Sequence, residues 1–150
     1  MSYSLNDCVE VGPSSVPLIP TLLLNFRHHA KVILADIEKA FLQIGIHEAD
    51  RKYLRFLWLK DPLNAIPQIE IWQFTRLIFG LKSSPAVLQE TIRHHLSHYL
   101  DGEYASVANT LLHDFYVDDL VTGCGTSEEA QHIYHASKTI FKEAGMNLRS

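Results

Sequence analysis

Short apolar runs recur along the chain, and polar residues, prolines or glycines separate them. Residues 32–35 are continuously apolar, which predicts a buried strand that ends at Asp36. Further strands are predicted at residues 42–46, 54–59, 69–72 and 77–79. Between them, the polar residues 47–53 predict one helical turn, and the prolines within residues 61–67 predict a loop.

The first helix is predicted near the N-terminus. Ser14 and Ser15 can cap it, and Pro17 then lies near its first turn. The apolar residues that keep helical spacing are Leu18, Leu22 and Phe26. Pro20 must also fall in the first turn, so the sequence leaves the exact start of this helix open.

Two longer helices are predicted in the second half of the chain. Ser84, followed by a proline, starts the first of them, and residues 101–102 end it. Its predicted buried face comprises Leu88, Ile92, Leu96, Tyr99 and Leu100. Thr126 and Glu129 have the spacing of a capping box, which opens a helix that Gly145 ends. The predicted buried residues of this helix are Ala130, Ile133, Ser137, Ile140 and Phe141.

Two adjacent aspartates, Asp118 and Asp119, lie between an apolar run at residues 111–117 and a second apolar pair. This arrangement predicts a β-hairpin over about residues 110–122 whose turn carries the acids. One explanation is that aspartates are simply favourable turn residues. The other is that a rigid hairpin tip holds two carboxylates for a divalent metal. The hairpin alone favours the first explanation.

Asp36, at the end of the predicted buried strand, reverses that preference. If the strand and the hairpin are neighbours in one sheet, three carboxylates reach the same edge. Such a set suits two Mg²⁺ ions about 3.5–4 Å apart, as phosphoryl transfer requires. Taken together, the elements predict one α+β domain with helices packed on one face of an antiparallel sheet.

Composition narrows the functional classes. The chain has 150 residues, 47% of them hydrophobic, which suffices for one domain with a substantial core. A net charge of −4 means that any basic surface for nucleic acid must be local or must lie elsewhere. Cys8 and Cys124 form neither a metal-ligand spacing nor a disulfide framework, which fits a reducing compartment. No apolar run approaches the length of a membrane span, and no secretory signal opens the chain.

Aromatic residues and histidines offer other sites that the sequence argues against. Trp58 and Trp72 lie in strand-like segments, and we expect them in the core rather than as base-stacking platforms. His94 and His98 are one helical turn apart, but no cysteine or further ligand is near them in sequence. We therefore expect a solvated helix face there and no zinc site.

Three motifs occur in the order known from one family. Residues 116–119, Tyr-Val-Asp-Asp, match the YxDD motif of retroviral and retrotransposon reverse transcriptases. Residues 36–41 match an upstream motif in which an aromatic residue follows an aspartate by five positions. Residues 79–86, together with Gln89, match the motif between them. The ordered set resembles a reverse transcriptase over about residues 4–149.

The sequence looks most like the BEL/Pao class of LTR retrotransposons, through residues 4–7, 35–41, 47–48 and 55–58. The resemblance implies a truncated right-hand reverse transcriptase fold. Residues 1–31 would belong to the fingers and the helix that leads into the palm, and residues 32–150 would form the palm. The remaining fingers, the thumb and an RNase H region would lie elsewhere in a parent polyprotein.

The resemblance also implies roles for individual residues. The catalytic metal ligands would be Asp36, Asp118 and Asp119, with the backbone carbonyl of Ile37. The nucleotide would contact Phe41, Phe79 and Gly80, and the Phe41 ring would exclude a 2′-hydroxyl. Tyr116 and Val117 would lie near the primer end, and Lys82 would belong to the primer and template site. Pro85 and Gln89 would belong to the helix that supports the template. Phe79 stands where many retroviral enzymes have glutamine, so that position offers the sugar no side-chain hydrogen bond.

The implied function is RNA-directed DNA polymerisation by template-directed deoxynucleotidyl transfer. The cofactors would be two Mg²⁺ ions, with Mn²⁺ as a substitute. The partners would be an RNA or DNA template with a primer and deoxynucleoside triphosphates, without a membrane. The expected location is intracellular, in a cytoplasmic retroelement particle. The alternative is a truncated, catalytically silent remnant that binds nucleic acid weakly at most.

Overall fold

The computed structural model describes residues 3–13, 17–64 and 66–150. Its helices are α1 (Leu5–Cys8), α2 (Ile19–His28), α3 (Ala40–Gln43), a 3₁₀ helix (Glu48–Tyr53), α4 (Ser84–Ser97), α5 (Ala105–Asp114) and α6 (Ser127–Glu143). Its strands are β1 (Lys31–Ile37), β2 (Arg55–Lys60), β3 (Gln68–Gln73), β4 (Phe115–Tyr116), β5 (Asp119–Cys124) and β6 (Leu148–Arg149). Within the described ranges, no helix is both long enough and apolar enough to cross a membrane.

Strands β4, β5, β1 and β6 form, in this order, an antiparallel sheet. Successive β1 residues point to opposite faces, so Ile33 and Ile37 are buried while Val32 and Leu34 are 45% and 54% exposed. The prediction of a continuously buried strand is therefore wrong. Helices α5 and α6 lie on the face of Ile33 and Ile37, and antiparallel sheets tolerate water on the other face. Helix α2 contacts β5 beside Val121, which points to that other face. We call the face that bears Val32, Leu34 and Asp36 the open face.

Helices α5 and α6 pack against the opposite face of the sheet, and α4 packs on α5 and contributes to the same core. The central core residues are Ile37, Leu88, Ile92, Leu96, Leu111, Phe115, Leu120, Ile140, Phe141 and Leu148. The rings of Phe115 and Phe141 have centroids 5.1 Å apart and join the sheet to α6. The mixed architecture of helices and an antiparallel sheet agrees with the α+β prediction. Burial of this apolar surface is the main force that holds the helices on the sheet.

The helix boundaries agree only in part with the predictions. Thr126 and Glu129 form the predicted capping box at the start of α6. Helix α4 begins as predicted but ends at Ser97, so Tyr99 and Leu100 lie beyond it. Strand β6 was not predicted, since two residues carry almost no pattern of their own.

Helix α2 begins at Ile19, so the prediction that Pro17 lies near its first turn is wrong. Pro20 lies in the first turn, as predicted, where a missing N–H costs nothing. A start near Pro17 would move Pro20 into the helix interior, where its ring clashes with the preceding turn. The predicted caps, Ser14 and Ser15, lie outside the described residues.

The hairpin is much shorter than predicted. Its first strand was expected to begin near Thr110, but helix α5 continues to Asp114. Val107 and Leu111 are four residues apart and are buried on one side of this helix. This packing favours a helix where the apolar run had predicted a strand. The turn residues are Val117 and Asp118, because Tyr116 pairs with Asp119. Asp119 thus opens β5 instead of lying in the turn.

Strands β2 and β3, both of which were predicted, pair with each other as a separate two-stranded ribbon. Trp58 and Trp72 lie on it with 53% and 51% of their surface exposed, so their expected place in the core is wrong. The segment at 42–46 is not a strand, because α3 takes its first two residues and only Gly45 makes a bridge. The segment at 77–79 is not a strand either.

Candidate active site

A row of four polar side chains crosses the open face of the sheet. Tyr116 on β4 pairs with Asp119 on β5, and Asp119 pairs with Asp36 on β1. Asp36 pairs on its other side with Arg149 on β6. Directly paired residues point to the same face, so the register places two carboxylates side by side with a guanidinium next to them.

The third carboxylate lies in the turn that joins β4 to β5. The amide of Ile37 donates a 3.0 Å hydrogen bond to the carbonyl of Asp118, which ties the turn to the end of β1. Val117 precedes Asp118 with a φ of 59°, a left-handed conformation that a β-branched residue rarely adopts. Asp36, Asp118 and Asp119 therefore lie at one corner of the sheet.

The electrostatics of this corner are unfavourable without a cation. Partial burial raises the pKa of the Asp119 carboxyl, and the negative charges of Asp118 and Asp36 raise it further. On the other side of Asp36, Arg149 Nη2 donates a 3.1 Å hydrogen bond to Asp36 Oδ2. Like charges directly opposite each other in a sheet are destabilising, so the site favours a bound positive charge.

The residues expected at the nucleotide form a second group. Phe41 is buried in the first turn after β1, and its ring centroid lies 4.5 Å from that of Phe79. Phe79 is 68% exposed and covers Phe41 on the solvent side. Gly80 follows with a φ of 92°, which glycine adopts without strain.

The residues expected at primer and template are divided between two places. Tyr116 and Val117 lie at the carboxylate corner, on β4 and in its turn. Lys82 and Pro85 are exposed around the start of α4. Gln89 is buried on the same helix, and its Oε1 has no hydrogen-bond partner among the described residues.

Comparison with known families supplies the assignment. A family model described as reverse transcriptase (RNA-dependent DNA polymerase) matches residues 3–150. The chain belongs to the reverse transcriptase family. Comparison with curated proteins found no match. The family implies RNA-directed DNA polymerisation, with a nucleic-acid template and deoxynucleoside triphosphates as substrates.

Reverse transcriptases generally use divalent metal ions. Within the described part of the chain, no three or more His, Cys, Asp or Glu side chains are arranged to hold a metal. The chemistry of the corner nevertheless suits a hard cation, because its three carboxylates offer oxygen ligands. Partial burial is the main cause of the raised Asp119 pKa, and a cation would relieve the charge repulsion that adds to it.

Two further residues of this reverse transcriptase were missed in the sequence. Arg149 contacts Asp36 across 113 residues of sequence, and no local pattern indicates that contact. Asn6 accepts from the Lys82 amide at 3.0 Å and donates to the Gly80 carbonyl at 2.6 Å. Asn6 thereby fixes the loop before α4, although nothing in its local sequence points to that contact.

Proposed function

We propose that this chain is the catalytic core of an RNA-directed DNA polymerase that uses two Mg²⁺ ions to add deoxynucleotides to a primer. The observation that carries the proposal is the register of β1 and β5. It puts Asp36 opposite Asp119, with Asp118 in the adjoining turn. All three carboxylates belong to a chain that the reverse transcriptase model matches over 3–150.

In this proposal Asp36, Asp118 and Asp119 bind the two ions, with Mn²⁺ as a substitute, and the Ile37 carbonyl is a further ligand. When bound, the ions favour ionisation of the primer 3′-hydroxyl and neutralise charge on the departing pyrophosphate. The sheet keeps the carboxylates in place through the β1–β5 ladder and the Ile37–Asp118 hydrogen bond. Little acid–base chemistry is required of the protein, because positioning and charge supply most of the rate enhancement.

The nucleotide and the duplex occupy the solvent side of this corner. Tyr116 shares the open face with the carboxylates, which suits contact with the primer end. The sugar meets the Phe41–Phe79 pair, and its aromatic bulk rejects a 2′-hydroxyl. Gly80 lets the nascent base pair approach the backbone. The template contacts the start of α4 at the exposed Lys82 and Pro85, and the buried Gln89 lies in the helix that supports the template.

The wider context is part of the same proposal. Residues 1–31 belong to the fingers and the helix that leads into the palm, and residues 32–150 form the palm. The parent is a BEL/Pao-type retrotransposon polyprotein that works in a cytoplasmic particle. The sequence motifs support this context, together with the open sheet face that a palm needs for its duplex.

Primer extension on an RNA template with Mg²⁺ tests the proposal. We expect extension by the wild-type chain to be lost in Asp119→Asn and retained in Asp101→Asn, an equivalent change in an exposed loop. Extension that survives in Asp119→Asn contradicts the catalytic role of Asp119. If none of the three proteins extends the primer, the chain is catalytically silent, which is the alternative function.

A further inference from the structure

Arg149 is held against the carboxylate corner by two acidic side chains. Its Nη2 lies 3.1 Å from Asp36 Oδ2, and its Nη1 lies 3.7 Å from Glu38 Oε1. The pairing of β6 with β1 directs Arg149 to the open face, because its neighbour Leu148 is 1% exposed on the covered face. The strand pairing therefore keeps the Arg149 side chain on the same face of the sheet as Asp36.

The second acid is itself fixed in place. Asn147 Nδ2 donates a 2.9 Å hydrogen bond to Glu38 Oε2, and the Glu38 amide donates a 2.8 Å bond to the Asn147 carbonyl. Glu38 is thus held beside Arg149 and gives it a second anchor next to Asp36.

Arg149 and a divalent ion have the same target. Both bind carboxylate oxygens of Asp36, and a charge of +1 beside the corner weakens its attraction for a further cation. When the guanidinium leaves Asp36, it can stay paired with Glu38, so replacement of Arg149 by a metal ion need not disrupt β6. A residue that only stabilised the strand would leave the affinity for metal unchanged or would increase it.

We propose that Arg149 is a resident cation of the carboxylate corner, which occupies Asp36 Oδ2 in the metal-free protein and is displaced when a divalent ion binds. Arg149 thereby sets the affinity for metal and keeps it lower than the three carboxylates alone would give. The inference rests on the proposed function, because it takes Asp36 as a metal ligand. Its consequence is that removal of Arg149 tightens metal binding.

Titration of the 150-residue chain with Mn²⁺, followed by the electron paramagnetic resonance signal of the free ion, tests this directly. We expect Arg149→Ala to bind Mn²⁺ roughly three- to tenfold more tightly than wild type, as loss of one nearby charge permits. Arg93→Ala is the matched control, since it removes the same charge from an exposed pair with Glu90 on α4. The control should change affinity by less than about twofold, and salt should reduce the Arg149 effect.

Two further variants connect the effect to Asp36. Arg149→Lys keeps the charge and should bind Mn²⁺ nearly as wild type does, which also guards against a folding defect in the alanine variant. In an Asp36→Asn background, Arg149→Ala should affect affinity no more than Arg93→Ala does. Equal or weaker binding by Arg149→Ala overturns the proposal, and so does tightening that persists without Asp36.

The outcomes separate this inference from the proposed function. In one outcome, Asp36→Asn abolishes metal binding and Arg149→Ala leaves it unchanged. This outcome contradicts the role of Arg149 but does not contradict the polymerase assignment. No binding by wild type or by any variant defeats both. Tighter binding by Arg149→Ala without primer extension supports the resident cation and contradicts catalysis by this chain.

Discussion

Asp119 lies beside two other carboxylates, and its pKa is raised by partial burial and by the charges of Asp118 and Asp36. Because the pKa is raised in the folded state, the ionised carboxyl destabilises the fold above that pKa. This free-energy cost decreases as the pH falls below the folded-state pKa, and it is absent below the unfolded-state pKa. The carboxylate corner is therefore a place where the ionised side chains lower the stability of the fold.

The Asp119→Asn variant should consequently be more stable than wild type at neutral pH, by less than about 1 kcal/mol because water screens the corner. The gain should vanish in acid, where Asp119 is protonated. Urea denaturation at neutral and acidic pH measures it, with Asp101→Asn as the control. A less stable Asp119→Asn protein at neutral pH would mean that the carboxylate makes net favourable contacts in the fold.

Single residues also mark the limit of sequence-based inference at this site. The YxDD match pointed to Asp118 and Asp119, and the upstream motif pointed to Asp36, but the two adjacent aspartates suggested the wrong turn residues. Val117 occupies the left-handed turn position, where its side chain is unfavourable, so no propensity could have indicated it. Arg149 and Asn6 matter through contacts 113 and 76 residues away in sequence, which local patterns do not encode.

At the scale of elements, prediction succeeded where one pattern extended over a whole segment. Strands β1, β2 and β3 and helices α4 and α6 were identified, because apolar spacing and end signals agreed. Helix α5 was missed because its last turn joins the apolar residues of β4 in one run. Only packing of Val107 and Leu111 against the sheet distinguishes helix from strand there.

A matched pair of substitutions at Asn109, exposed within α5, tests that helix. Asn109→Ala should be more stable than Asn109→Gly by about 1 kcal/mol, because alanine is the best helix former and glycine one of the worst. Urea denaturation of the two variants gives the difference. If the segment were a strand, alanine would have little or no advantage over glycine.

The molecule combines a well-packed core with one exposed ribbon. The sheet and α4–α6 share a continuous core, whereas the β2–β3 ribbon has large apolar side chains in water on both sides. One side bears Trp58 and Trp72, and the other bears Leu57 and Ile71. The sequence predicted the two strands correctly, but it could not show that neither side of the ribbon is covered within the described residues.

The difference between the core and the ribbon predicts that a leucine-to-alanine substitution lowers the unfolding free energy more in the core than on the ribbon. Leu111→Ala should cost about 2–5 kcal/mol of unfolding free energy, because Leu111 is fully buried between α5 and the sheet. Leu57→Ala should cost less than about 0.5 kcal/mol, because Leu57 is 70% exposed on the ribbon. Urea denaturation of the 150-residue chain compares them. If the cost of Leu57→Ala rises with protein concentration, copies of the chain bury the ribbon against each other. If the cost is large and independent of concentration, Leu57 lies in a core of the single chain.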